Sequence, residues 1–158
     1  MALDLTILVG TMTSTAELVA QAVQLAIEED DVRVDIKAMD GLDAGIFSGG
    51  GFYLVCTSTY GQGDVPDNAK ALYASLRETR PDLSDVEYGV IALGDRTYAE
   101  TFCFGGKRFD EVLTELGARR LGGVFRHDAS AGTMPEELAA EWVVGWIEEV
   151  KTAKALTA

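Results

Sequence analysis

Residues 5–17, LTILVGTMTSTAE, join a short apolar run to the start of a longer amphipathic one. The run LTILVG is too short for a helix, which predicts a strand buried on both faces. Residues 14–28 place apolar side chains at helical spacing and predict a helix. Four hydroxyl side chains lie where the strand passes into the helix, at Thr11, Thr13, Ser14 and Thr15.

The same alternation of short apolar runs and amphipathic runs continues to the C-terminus. It predicts an α/β fold with a parallel sheet covered by helices on both faces. Asp67 or Asn68 is a candidate helix cap, and Pro135 opens the last helix. Residues 32–39 alternate with period two, as an edge strand does. The remaining predicted strands are residues 52–59, 88–94 and 119–128, the remaining helices are residues 67–79, 104–116 and 134–150, and residues 40–51 form a loop.

Length, charge and cysteine content limit the classes of function. A chain of 158 residues, 47% of them hydrophobic, suits one core, so we expect a single domain over residues 1–158. A net charge of −13 repels nucleic acid and anionic membranes, and its electrostatic complement is a basic protein partner. The sequence has two cysteines, no signal-peptide pattern and no apolar run of ~18 residues, so we expect a cytoplasmic protein with reduced thiols.

In open parallel sheets ligands bind beyond the carboxyl ends of the strands, where the strand order reverses. The loop after the first strand combines hydroxyl donors with the unpaired N–H groups and partial positive charge of a helix N-terminus. It lacks both the Lys-Ser/Thr of a P-loop and the G-x-G-x-x-G pattern of a dinucleotide site. We therefore expect this loop to be either a phosphate-binding site for a phosphomonoester or an ordinary helix cap.

Two further loops, residues 57–69 (TSTYGQGDVPDNA) and residues 93–103 (LGDRTYAETFC), follow the third and fourth strands. Each contains glycine and an aromatic side chain, Tyr60 in one and Tyr98 in the other. A flat ring could stack between these tyrosines while the first loop holds its phosphate, although an isolated turn tyrosine also serves ordinary packing. The three loops together predict a heteroaromatic ligand with a phosphate tail.

These three loops, GTMTSTAE (residues 10–17), TSTYGQGDVPDNA and LGDRTYAETFC, resemble the FMN-binding loops of the flavodoxin family, including MioC-type flavodoxin-like proteins and the FMN domains of diflavin reductases. The resemblance spans nearly the whole chain and matches the short-chain type. It implies a flavodoxin-like three-layer sandwich, with helices on both faces of a five-stranded parallel sheet in the order 2-1-3-4-5. Ser14 differs from the glycine that many relatives have there.

The resemblance also implies FMN as the cofactor and a role for each loop. The first loop would hold the phosphate, the second would lie along the ribityl chain and one ring face, and the third would meet the pyrimidine end and the other face. Gly61 is the position at which relatives turn a peptide toward reduced N5. The implied FMN-binding residues are Thr11, Met12, Thr13, Ser14, Thr15, Ala16, Ser58, Thr59, Tyr60, Gly61, Gly63, Leu93, Gly94, Asp95, Tyr98, Phe102 and Cys103.

The implied function is that of an electron carrier, not an enzyme. It would shuttle single electrons between a flavodoxin/ferredoxin-type NAD(P)H reductase and an acceptor protein with a basic docking face, through the flavin semiquinone and hydroquinone. No general base, nucleophile or metal-ligand set is visible, so no catalytic residue and no metal site are assigned. The alternatives are a small flavin-dependent NAD(P)H:quinone-type reductase and a cofactor-free signalling module on the same fold.

Several residues outside these loops also carry expectations. Cys56 lies in a buried strand as a small hydrophobe, and Cys103 is either packed or redox-active. His127 is expected to be a surface or loop residue. Trp142 and Trp146 fall at helical spacing in the last helix and are expected to lie in the core.

Overall fold

The computed structural model describes residues 3–10, 15–59, 65–94, 103–128 and 132–157. Its elements follow the predicted alternation of strands and helices. The strands are β1 (Leu3–Gly10), β2 (Val32–Ala38), β3 (Gly51–Thr57), β4 (Val86–Gly94), β5 (Arg119–Arg120) and β6 (Phe125–Asp128). The α-helices are α1 (Thr15–Ile27), α2 (Lys70–Thr79), α3 (Phe104–Glu115) and α4 (Pro135–Thr157), with short 3₁₀ helices at Ala44–Phe47 and Asp67–Ala69.

The sheet has the strand order β2-β1-β3-β4-β5, and every pair in it is parallel. The order expected from the resemblance is confirmed. The predicted last strand is divided into β5 and β6, which pair with the beginning and the end of β4 respectively. Gly122 between them has a φ of 70°, a backbone conformation that takes the chain out of a strand and that glycine tolerates best.

Two layers of helices cover the sheet. Helices α1 and α4 pack on one face, against β1 side chains such as Leu5, Ile7 and Val9, while α2 and α3 pack on the other, where Leu8 is buried. β1 is therefore covered on both faces, which is why its sequence is continuously apolar. β2 lies at the edge of the sheet, and its first four residues alternate between buried and exposed, as predicted.

The start of helix α2 differs from the prediction. Residues 67–69 form a 3₁₀ turn, and neither that turn nor α2 has a side-chain cap. The Asp67 carboxylate pairs with Lys70 Nζ at 3.0 Å. Asn68 Nδ2 donates to the carbonyl oxygen of Val9 at 3.2 Å. The prediction that Asp67 or Asn68 caps the helix is wrong, because Asn68 instead connects this turn to the end of β1.

A hydroxyl buried under helix α3 fixes that helix on the sheet. The Tyr88 hydroxyl donates to Asp110 Oδ1 at 2.7 Å and lies 2.7 Å from Thr114 Oγ1. Burial raises the pKa of Tyr88, so the hydroxyl stays protonated. The second oxygen of Asp110 pairs with Arg120 Nη1 at 2.6 Å, which adds β5 to the same network.

Trp146 fixes helix α4 on the opposite face of the sheet. Its ring is 3% exposed, and its Nε1 donates to the carbonyl oxygen of Leu121 at 2.9 Å. A Cβ atom at Gly89 would lie 2.5 Å from the ring, so β4 needs glycine there. Trp146 is thus a core residue, as predicted, and the half-buried Trp142 stacks on it with a centroid separation of 5.8 Å.

This packing predicts the effect of two glycine substitutions. Gly89→Ala should destabilise the fold by about 1–3 kcal/mol, since the added methyl group displaces a buried, hydrogen-bonded ring. Gly145→Ala is the matched control, because a Cβ there meets nothing within 4 Å; alanine in a helix interior should be neutral or stabilising by up to about 1 kcal/mol. Urea unfolding measures both, and a Gly89→Ala protein as stable as the wild type would contradict this packing.

Candidate cofactor site

The carboxyl ends of the central strands meet at one edge of the sheet. Gly10 at the end of β1 is in register with Thr57 at the end of β3, and Thr57 is in register with Ala92 near the end of β4. β1 leads to α1 on one face, whereas β3 leads to α2 on the other. The chain therefore continues to opposite faces of the sheet after β1 and after β3, the arrangement that marks the ligand-binding crevice in open α/β sheets.

The structure places part of the predicted site at this edge. Thr15 and Ala16 form the first turn of α1, Ser58 and Thr59 follow β3, Leu93 and Gly94 end β4, and Cys103 precedes α3. The topology thus brings together all the predicted site residues that the structure describes. The others lie outside the described residues: Thr11, Met12, Thr13, Ser14, Tyr60, Gly61, Gly63, Asp95, Tyr98 and Phe102.

The exit of β1 is tightly packed. A Cβ atom at Gly10 would lie 2.7 Å from Thr57 Oγ1 and 3.2 Å from the Ala69 methyl group, so only glycine lets the chain pass here undisturbed. Helix α1 begins at Thr15, and Ala16 in its first turn is fully buried. The Cys56 thiol donates to the Ala16 carbonyl oxygen at 3.5 Å. The helix N-terminus is therefore held directly beside the end of the sheet.

Thr59 connects the exit of β3 to two other elements. Its hydroxyl donates to the carbonyl oxygen of Leu93 at 3.1 Å and accepts from the N–H of Gly105 at 2.9 Å. A side chain at Gly105 would collide with the Ser58 carbonyl oxygen. Helix α3 therefore approaches the end of β3 more closely than any residue other than glycine would allow.

Cys103 closes the base of the third predicted loop. It has a φ of 59°, in the left-handed region, and is 1% exposed. Its thiol donates to the Ala92 carbonyl oxygen at 3.3 Å. A Cβ atom at Gly94 would lie 2.6 Å from Cys103 N, so Gly94 and Cys103, which flank residues 95–102, lie directly against each other. This geometry favours the packing interpretation of Cys103.

His127 is not the surface or loop residue that the sequence suggested. It lies in β6, is 4% exposed, and its Nε2 is 2.9 Å from Thr133 Oγ1. It pairs with Leu93 and points to the same face as Phe125, two residues earlier. The alternation of Phe125 and His127 was the signal that could have predicted its burial.

Asn68 is a residue of this edge that sequence reasoning assigned only to a helix cap. Its amide donates to the Val9 carbonyl oxygen and also to Asp40 Oδ2, which lies 3.3 Å away. Asn68 therefore connects the turn before α2 to the end of β1 and to the segment between β2 and β3. No local pattern marks this contact, because the partners are distant in sequence.

Away from this edge, an open groove of about 350 Å³ lies beside helix α4. We call it the α4 groove. It is lined by Gly122, Gly123, Trp142, Gly145, Trp146 and Glu149.

Within the described residues, no group of three or more His, Cys, Asp or Glu side chains could hold a metal ion. No described helix combines the length and the apolar character needed to cross a bilayer.

Comparison with known proteins agrees with this architecture. The flavodoxin family profile matches residues 7–142. Flavodoxin YqcA of Pectobacterium carotovorum is 40% identical over 144 residues, which cover 91% of this chain and 95% of YqcA. Protein MioC of Escherichia coli O157:H7 is 34% identical over 148 residues, covering 94% and 99% of the two chains. The structure of a cysteine-to-alanine mutant of a Pseudomonas aeruginosa flavodoxin matches with a TM-score of 0.84 at 34% identity, over 94% of this chain and 99% of that one.

The fold and these matches together define an α/β protein of the flavin-binding electron-carrier class. The chain belongs to the flavodoxin family, and its cofactor is FMN. The sequence of the first loop and the position of the start of α1 fit this cofactor. The N-terminus of α1 opens at the crevice, and residues 10–17 contain hydroxyl groups but no lysine or arginine, a donor set suited to a phosphate that is bound and not transferred.

The burial of both thiols predicts that neither reacts in the folded protein. Cys56 is fully buried, and burial raises its pKa to about 12, so it remains a thiol, whereas the thiolate is the nucleophile. Maleimide labelling followed by mass spectrometry should find the folded, FMN-loaded protein unlabelled and the urea-unfolded protein labelled twice. Rapid labelling of Cys103 in the folded state would show that it is an accessible thiol and refute its packing role.

Proposed function

We propose that this protein is a one-electron carrier. It takes electrons from a flavodoxin/ferredoxin-type NAD(P)H reductase and passes them to an acceptor protein with a basic docking face, using the semiquinone and hydroquinone forms of FMN. The observation that carries the proposal is that β1, β3 and β4 end together at one edge of the sheet, in a chain of the flavodoxin family. Bound FMN supplies the redox chemistry, and the protein binds it, orients it and adjusts its potential.

The site that we propose follows the three connections. N–H groups and hydroxyls of the first would hold the phosphate, the second would line the ribityl chain and one ring face, and the third would meet the pyrimidine end and the other face. Gly61 would permit a peptide rotation toward N5 that a Cβ atom hinders. The proposed FMN-binding residues are Thr11, Met12, Thr13, Ser14, Thr15, Ala16, Ser58, Thr59, Tyr60, Gly61, Gly63, Leu93, Gly94, Asp95, Tyr98, Phe102 and Cys103.

The charge of the protein supports the choice of partner. The chain carries a net charge of −13, and the exposed carboxylate of Asp40 lies at the edge where β1 ends. Such a surface attracts a basic protein and repels nucleic acid and anionic membranes. Carboxylates near the flavin also disfavour additional negative charge on it. We therefore expect electron transfer to the acceptor to slow as added salt screens the attraction.

We also propose that residues 1–158 act as one domain and that the protein works in the cytoplasm. Two helical layers enclose one sheet in the described part of the chain, which supports the single domain. Both cysteines are free and buried, which suits a reducing compartment.

The central experiment is reconstitution with FMN followed by stepwise reduction. We expect tight binding of one FMN and accumulation of a blue neutral semiquinone partway through the reduction, as a one-electron carrier requires. NADPH should be consumed only when a reductase is added. A protein that oxidises NADPH unaided and turns over a quinone would instead be the small reductase, and a folded protein that binds no FMN would refute the proposal.

A tyrosine substitution tests the proposed ring contact. Tyr60→Ala should weaken FMN binding by on the order of 1 to 3 kcal/mol, because it removes the stacking surface. Tyr60→Phe is the matched control, since it keeps the ring and removes only the hydroxyl, and it should bind FMN nearly as the wild type does. Fluorescence titration measures both affinities. Equal affinity of the Tyr60→Ala and wild-type proteins would exclude stacking at this position.

A further inference from the structure

We propose that Thr59 is a positioning residue for the flavin. Its hydroxyl holds the start of α3 and the end of β4 against the exit of β3. It thereby fixes the chain ends from which residues 60–64 and 95–102 continue, the two stretches that we propose cover the faces of the ring. This inference rests on the proposed function, because it assigns the stretches their role in binding FMN.

The hydroxyl of Thr59 uses its hydrogen-bonding capacity within the protein. A threonine hydroxyl has one proton, and here that proton goes to the Leu93 carbonyl oxygen, 34 residues away in sequence. The same oxygen accepts from the Gly105 N–H, 46 residues away. The proton is therefore not available to the cofactor. Thr59 instead connects the exit of β3 to the end of β4 and to the first turn of α3.

Within the part of the chain that the structure describes, Thr59 provides a side-chain cap for the start of helix α3. The first N–H groups of a helix have no partner within the helix, and a side-chain oxygen normally satisfies one of them. Cys103 occupies the N-cap position of α3 but makes no side-chain cap bond and has a φ of 59°. The Thr59 hydroxyl, which comes from the end of β3, supplies the missing acceptor for Gly105.

The close packing of α3 on the strands explains why the Thr59 hydroxyl lies within hydrogen-bonding distance of the Gly105 N–H. Gly105 lies against the Ser58 carbonyl oxygen, and a Cβ atom at Gly106 would lie 2.5 Å from the Ala92 methyl group. The paired glycines let the first turn of α3 lie directly on β3 and β4. If the hydroxyl is removed, the buried Gly105 N–H and the Leu93 carbonyl oxygen each lose a partner. The start of α3 is then free to move relative to the two strand ends.

The experiment compares Thr59→Val, which replaces the hydroxyl with a methyl group of similar size, with Thr59→Ser, which keeps the hydroxyl. Thr59→Ala is measured in parallel, because it removes the hydroxyl without adding an apolar methyl group. The matched control is Thr79→Val in helix α2, where an exposed hydroxyl donates to the Ser75 carbonyl oxygen at 2.7 Å. Each protein is tested for FMN affinity, for the midpoint potentials of its two one-electron steps and for the stability of the FMN-free form.

We expect Thr59→Val and Thr59→Ala to weaken FMN binding by about 5-fold to 150-fold, the range that follows from leaving a buried group without its partner. The separation between the two midpoint potentials should change as well, because the ring contacts move. Thr59→Ser should bind FMN within about threefold of the wild-type affinity and should have wild-type midpoint potentials. Thr79→Val should match the wild type in both measurements.

Three outcomes would overturn the proposal. Wild-type affinity and potentials in Thr59→Val and Thr59→Ala would do so. A loss of stability in the FMN-free form with unchanged affinity and potentials would show a purely structural role. Weakened binding by Thr59→Ser as large as that of Thr59→Val would show that the retained hydroxyl does not by itself position the flavin. Failure of the wild-type protein itself to bind FMN is a separate result that refutes the proposed function.

Discussion

The parallel pairing of β1, β3 and β4 is the constraint on which the rest of the structure depends. Their register brings Gly10, Thr57 and Ala92 side by side, so the chain leaves all three strands at the same edge. Burial of both faces of these strands makes a shift in register costly, because a slip by one residue would exchange the side chains that face the two helical layers. The position of the crevice therefore follows from packing far from it.

The second requirement is close approach at that edge. Glycine at positions 10, 94 and 105 allows chain segments to meet at distances that a side chain would prevent. Side chains then connect segments that are distant in sequence, as Asn68 does for β1 and Thr59 does for β4 and α3. A redox cofactor needs rigid surroundings, because a fixed environment keeps its potential constant and limits reorganisation during electron transfer.

Local patterns were enough to predict the strands, the helices and the layer arrangement, because continuous apolar runs and helical spacing report burial directly. They also marked three loops as the predicted site, because glycines, hydroxyls and aromatics stand together there in sequence. They failed where the decisive partner is remote. His127 is buried only because β6 pairs with β4, and Asn68 donates to Val9 instead of capping α2. Local patterns also did not predict that the positive φ of Gly122 divides the last strand.

The most direct test of the central claim is a comparison of backbone amide chemical shifts in isotopically labelled protein without and with FMN. The account predicts that the large changes fall in residues 10–16, 58–64 and 93–103. Amides at the opposite end of the sheet, such as Leu3, Val32 and Val86, should barely change. Changes concentrated along the α4 groove, with the three loops unaffected, would contradict the claim that FMN binds where β1, β3 and β4 end.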